Sequence, residues 1–195
     1  TCTSKTAVLS YCGSYHFALS DKPDRNAMAE ALQSLSLFRG TGSGIGSGYE
    51  LEKAPTRAEA LIMLIRMLGE EKAALACTAS HPFIDVPDWC APYVAYAYEK
   101  GYSNGVGTDG LGHSYFGTQQ TASAVIYVEF MLRALGYSST ATTNISDALD
   151  RAVTAGVLTA GERTALQSSD FLRADVAYLS YYALSARTSG GAALS

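Results

Sequence analysis

The chain has 195 residues, 48% of them hydrophobic and 16% charged, with a net charge of −4. This composition excludes a disordered chain, and the acidic balance argues against a charge-driven grip on nucleic acid or on an anionic surface, so an anionic partner would have to be held by a local site. No apolar run approaches membrane-spanning length, and a folded chain of this size hides about 70% of its unfolded surface, enough for a core without staples.

No leader peptide is visible, and Thr1 reads as the start of a processed or trimmed chain. The cysteines Cys2, Cys12, Cys77 and Cys90 allow several pairings; Cys2–Cys12 with Cys77–Cys90 is the local choice, and free thiols are the alternative. Cys77, His81 and Cys90 follow no common zinc spacing, and no metal or other cofactor is expected.

Residues 1–21 are weakly patterned and read as an irregular lead-in. Asp24 can cap a helix that carries Ala27, Met28, Ala31, Leu32 and Leu35 on one face and runs to near Gly40. The Gly-rich segment from Gly40 and Gly42 to Gly48 lacks the Gly-Lys-Ser/Thr ending of a phosphate-binding loop and reads as a connector. A fully punctuated helix follows: Pro55 fixes its start, Thr56 and Glu59 form a capping box, apolar residues run densely along it, and Gly69 offers a stop. Residues 70–79 read as a ragged helix end.

Pro82, Pro87 and Pro92 punctuate the next block, and Tyr93, Val94, Tyr96, Ala97 and Tyr98 suggest a short helix stopping at Gly101. Asn104-Gly105 and Asp109-Gly110 mark a turn-rich loop. A second long helix is expected over 123–135, closing at Gly136. A shorter helix over 145–155, a helical piece at 161–166 and a third long helix over 172–186 complete the pattern before a small polar tail.

Arg57 is the odd member of the first long helix. It sits in the first turn, where the helix dipole disfavours a cation, beside free backbone N–H groups that suit an anion. Taken alone, a solvated surface arginine is the plainer reading. Trp89 reads first as a core or interface anchor, Asp85 as the brace of a turn, and Arg173 as half of a surface pair with Asp170 or Asp175. His16, His81 and His113 have no recognisable partner pattern for nucleophilic catalysis, so no enzyme is expected.

The blocks repeat one another. Leu37-Phe38-Arg39-Gly40-Thr41-Gly42 answers Tyr102-Ser103-Asn104-Gly105-Val106-Gly107; Tyr49 precedes Thr56 as Phe116 precedes Ser123; Arg66-Met67-Leu68-Gly69 answers Arg133-Ala134-Leu135-Gly136. Leu172-Arg173-Ala174-Asp175 stands opposite Thr56-Arg57-Ala58-Glu59. The unit is a short helix, a Gly-containing turn, a loop and a long helix, over 22–79, 80–139 and, in degenerate form, 140–187, with a tail at 188–195.

With Phe83-Ile84-Asp85-Val86 and Trp89 opening the second block and Thr56-Arg57-Ala58-Glu59 opening a long helix, the chain resembles the S-layer homology (SLH) family over about residues 24–187. The resemblance implies a mainly α fold, a pseudo-threefold body with central long helices and loop prongs. It implies an extracellular, non-catalytic module that anchors surface proteins to Gram-positive and related cell walls. The partner implied is a secondary cell-wall polysaccharide, often one carrying pyruvate ketals, and a larger attached or associated surface protein; nucleic acid and membrane insertion are not. The site residues it implies are Arg57 with Thr56 and Glu59, Arg173, Trp89, and Gly40 and Gly42 lining the groove. Departures are also visible. Ala124 stands at the arginine position of the second block, and Leu172 cannot cap the third helix, leaving Ser169 or Asp170 to do so. These departures keep two alternatives open, a scaffold unit that has lost glycan binding and a hydrolase of wall sugars.

Overall fold

A computed structural model describes residues 24–39, 48–137, 145–183 and 188–191. Cys2, Cys12, Gly40 and Gly42 lie outside the described residues. The protein is mainly helical. Its described elements are α1 (Arg25–Ser34), α2 (Arg57–Met67), α3 (Glu71–Leu75), α4 (Ala91–Glu99), β1 (Gly107–Thr108), β2 (Ser114–Tyr115), α5 (Ala124–Ala134), α6 (Ala148–Thr154), α7 (Ala160–Ser168) and α8 (Arg173–Ala183). The two strands pair antiparallel as a small hairpin, with Gly107 opposite Tyr115 and Thr108 opposite Ser114.

The three long helices start as their sequences dictate. At α2 the Thr56 hydroxyl accepts from Glu59 N–H at 3.2 Å, and the Glu59 carboxylate accepts from Thr56 N–H at 2.8 Å, closing the box. At α5 Ser123 caps alone, accepting from Ile126 N–H at 3.4 Å. At α8 Leu172 offers no cap, yet Asp175 still accepts from Leu172 N–H at 2.9 Å. Neither Ser169 nor Asp170 takes over the cap: the Ser169 hydroxyl turns back to Ala165 O and closes α7 instead.

α2 is the central element. Nine of its eleven residues are buried, as expected of a helix apolar on every side. It packs against α5, α8, α4 and α3. Each short helix lies on the long helix of the preceding unit: α4 on α2, α6 on α5, and α1 on α8. The last of these contacts joins the first described helix to the last. At the core, the Tyr127 hydroxyl meets the Ser180 hydroxyl at 2.7 Å, joining α5 to α8 with both residues fully enclosed. The backbone repeats the pattern where the long helices begin. Arg57 N–H donates to Gln120 O at 2.7 Å, and Arg173 N–H donates to Lys53 O at 2.9 Å.

Several expectations from sequence are corrected here. On α1 the buried face is Met28, Ala29 and Leu32; Ala27 and Leu35 are exposed, and the helix stops at Ser34 rather than near Gly40. Residues 70–79 hold a separate helix, α3, because Gly69 at φ +74° turns the chain before it resumes. Cys77 and Cys90 are free thiols: Cys90 is buried at the start of α4 with its Sγ 3.5 Å from Pro87 O, whereas Cys77 faces Glu99. Burial pushes the Cys90 thiol up to about 11, which makes it unreactive. Trp89, read as a core anchor, is 53% exposed, because it is the neighbouring Cys90 that turns inward.

The short helices end alike. Leu37, Tyr102 and Val157 N–H groups return to Leu32, Ala97 and Ala152 carbonyls, and the residue before each adopts positive φ. That residue is Gly101 or Gly156 in two units but Ser36, at φ +60°, in the first. A side chain in this conformation costs about 1 kcal/mol. Ser36→Gly is therefore expected to raise stability by about that amount, read as a higher urea midpoint at unchanged slope; an unchanged or lower midpoint would contradict the strain.

Candidate functional site

Arg57 is only 4% exposed, which departs from the solvated arginine that its sequence position suggests in isolation. Its backbone is fixed by the cap of α2 and by Gln120 O, and its side chain crosses to the next unit. There the guanidinium donates to Ser103 Oγ and to Gly105 O, both at 3.2 Å. It lies between two rings, 5.2 Å from the centroid of Phe116 and 4.8 Å from that of Phe130. Such contacts are worth about 2 kcal/mol when desolvated. Its Nε is buried without a hydrogen-bond partner, and among the described residues no carboxylate pairs with it. Burial first, and repulsion from Arg133 second, push its pKa down to about 10, so it remains a cation at neutral pH.

The guanidinium forms one wall of a cavity of about 210 Å³. Ser103, Gly105, Phe130, Glu129 and Arg133 are among its other lining residues. Gly105 is obligatory here: at φ +80°, a Cβ would stand 2.4 Å from the Phe83 ring and 2.5 Å from Tyr115 O. Glu129, also on the lining and 2% exposed, accepts from Arg133 Nε at 2.7 Å and from Arg151 of α6.

A second, more open cavity of about 630 Å³ lies alongside, lined by Asp85, Thr108, Asp109, Tyr115, Gln119 and Gln120 among others. Val106 and Gly107 belong to both cavities. Asp85 braces this region as the sequence suggests. Its carboxylate accepts from the N–H groups of Phe116 and Gly117, both at 2.7 Å, and of Thr118 at 3.2 Å. Burial pushes its pKa up, but these donors outweigh burial and hold the carboxyl below its usual range. Stability from Asp85 is then complete above its unfolded value of about 3.9 and drains away as pH falls through the lower folded value. Asp85→Ala is expected to cost roughly 2–4 kcal/mol at neutral pH by leaving three donors unmatched. In urea melts the gap to wild type should narrow below about pH 4; a gap independent of pH would argue against this role.

The structure brings together only part of the expected site. Arg57, Thr56 and Glu59 are adjacent, the last two engaged in the cap. The glycine turn that meets Arg57 is Gly105–Gly107 of the following unit, since α2 starts against the 118–120 segment of that unit. Arg173 stands apart, 5% exposed, with its Nε donating to Tyr49 O at 3.0 Å. It pairs with neither acid expected; Asp175 instead binds Arg25 at 2.9 Å. Trp89 lines neither cavity. Sequence reasoning missed Glu129 and treated Arg133 only as a mark of the repeat. The available signal was a carboxylate inside an apolar helix, where the first unit has Ile62. A comparison with models of known protein families and with curated proteins gives no match.

Proposed function

We propose that the chain is a non-catalytic cell-wall anchoring module of the SLH type, acting outside the cell, whose ligand is an anionic secondary cell-wall polysaccharide. The observation that carries this reading is Arg57: a buried cation without a carboxylate partner among the described residues, on the wall of a cavity. A carboxylate on a sugar, such as a pyruvate ketal, supplies the missing charge, and the Arg57 fork suits it. The succession of short helices on preceding long helices supports the pseudo-threefold SLH body that the motifs imply. The third unit offers Arg173 as a weaker second site, because its guanidinium already serves Tyr49 O.

Co-sedimentation with purified cell walls tests the reading. Retention is expected on intact walls and is expected to vanish once the non-peptidoglycan polymer is chemically removed. Retention that survives the removal would reject the polysaccharide as ligand. A scaffold role is the second reading, favoured by the exposed Ile84, Trp89 and Leu111 in the second unit; it predicts capture of one protein partner with no wall retention.

A further inference from the structure

We propose that Asn104 is a site of spontaneous deamidation, and that the carboxylate it leaves closes the Arg57 site from within. The consequence for binding rests on the anion reading of Arg57; the modification itself does not. The chain has three asparagines, Asn26, Asn104 and Asn144, followed by Ala27, Gly105 and Ile145. Deamidation begins when the backbone nitrogen of the next residue attacks the asparagine side chain, and glycine, without a Cβ, hinders that approach least. Packing allows no other residue after Asn104: at Gly105 a Cβ would stand 2.4 Å from the Phe83 ring and 2.5 Å from Tyr115 O. The fold itself therefore imposes the reactive pair.

The surroundings favour the reaction. Asn104 is exposed, and its side-chain amide makes no hydrogen bond among the described residues. The Gly105 N–H donates to Ser103 Oγ at 3.3 Å, a neutral acceptor that also takes the Arg57 guanidinium at 3.2 Å. The same guanidinium donates to Gly105 O. A cation this close favours loss of the Gly105 amide proton and stabilises the oxyanion formed in the attack. Asn26 has the opposite setting, since the Ala27 N–H donates to the Asp24 carboxylate at 3.0 Å. At Asn104 the deprotonated Gly105 nitrogen bonds to Cγ. The bond from Cγ to the amide nitrogen breaks, and that nitrogen takes up a proton and leaves as ammonia. Water then opens the succinimide ring at either carbonyl, leaving aspartate or isoaspartate and one added negative charge. Asn104 lines the same cavity as Arg57 and Arg133. The new carboxylate thus supplies an internal counter-charge where an external anion would sit.

Storage of the full chain in mildly alkaline buffer, followed by peptide mapping and isoelectric focusing, tests the modification. The fragment holding Asn104 is expected to convert well before those holding Asn26 and Asn144, with a shift of one negative charge. Asn104→Ser is expected to remove that shift. Co-sedimentation with purified cell walls tests the consequence. Stored wild type and fresh Asn104→Asp are expected to bind about tenfold more weakly than fresh wild type, as a like charge within a few ångströms of the bound anion would give. Asn104→Ser should bind equally before and after storage. An Asn104 that outlasts Asn26 and Asn144 would overturn the inference and leave the Arg57 reading standing, and so would undiminished binding by Asn104→Asp. Absence of wall retention by fresh wild type would overturn the Arg57 reading and with it the consequence for binding, and the fragment map would then decide the modification alone.

Discussion

Arg57→Met is expected to lose wall binding by about 100-fold while the protein keeps its stability or gains about 1–4 kcal/mol. Most binding residues that are 4% exposed would unfold the protein when replaced. Arg57 differs because no carboxylate pairs with it directly among the described residues, Asp85 acting on it without a direct bond. Burying a cation costs several kcal/mol, and two long hydrogen bonds, the rings of Phe116 and Phe130 and the Asp85 charge offset part of that cost. Methionine keeps an unbranched, polarisable stem out to the Nε position beside the two rings and removes the desolvation cost of the guanidinium. The carboxylate of the ligand then has no cation to meet. Urea melts and wall-binding isotherms on the same preparation separate the two effects. If Arg57→Met unfolds at markedly lower urea, the guanidinium is a structural strut and the anion site is misread. If binding survives, the role in recognition is gone whatever the stability.

Glu129→Gln is expected to destabilise the protein by about 3–5 kcal/mol, the largest effect of any conservative change considered. Among the described residues Glu129 is the sole carboxylate shared by Arg133 and Arg151, and it is 2% exposed. Glutamine keeps the shape but leaves two guanidinium groups without their shared counter-charge. Arg151 would retain Asp147 at 3.0 Å, an exposed and weaker partner. Because Arg151 belongs to α6 and Glu129 to α5, the loss also loosens the third unit from the second. Replacing all three with apolar residues of similar size should restore most of the loss, since the penalty lies in the unpaired charges rather than in missing attraction. Equilibrium urea unfolding measures both. A cost below about 1 kcal/mol for Glu129→Gln would mean that water already reaches the group.

What the sequence by itself determined is local. The caps of Asp24, Thr56 with Glu59, and Ser123, and the stops at Gly69, Gly101 and Gly136, all act within a few residues, so residue type and spacing suffice to place the helices. The dense apolar run of α2 likewise announced a central helix. The hairpin of β1 and β2 left no such trace, because strands of two residues carry no alternation to read. Contacts between distant segments were not legible either. Arg173 meets Tyr49 O across 124 residues of chain, and nothing near Arg173 indicates this in place of the nearby Asp170 and Asp175. The same holds for the site. The place of Arg57 at a helix start motivates the anion reading, but that its guanidinium reaches Gly105 O, shares a cavity with Glu129 and Arg133, and pairs with no carboxylate among the described residues follows from the packing of the first unit on the second. Burial converts an ordinary arginine into a desolvated cation, and only the assembled units create that burial.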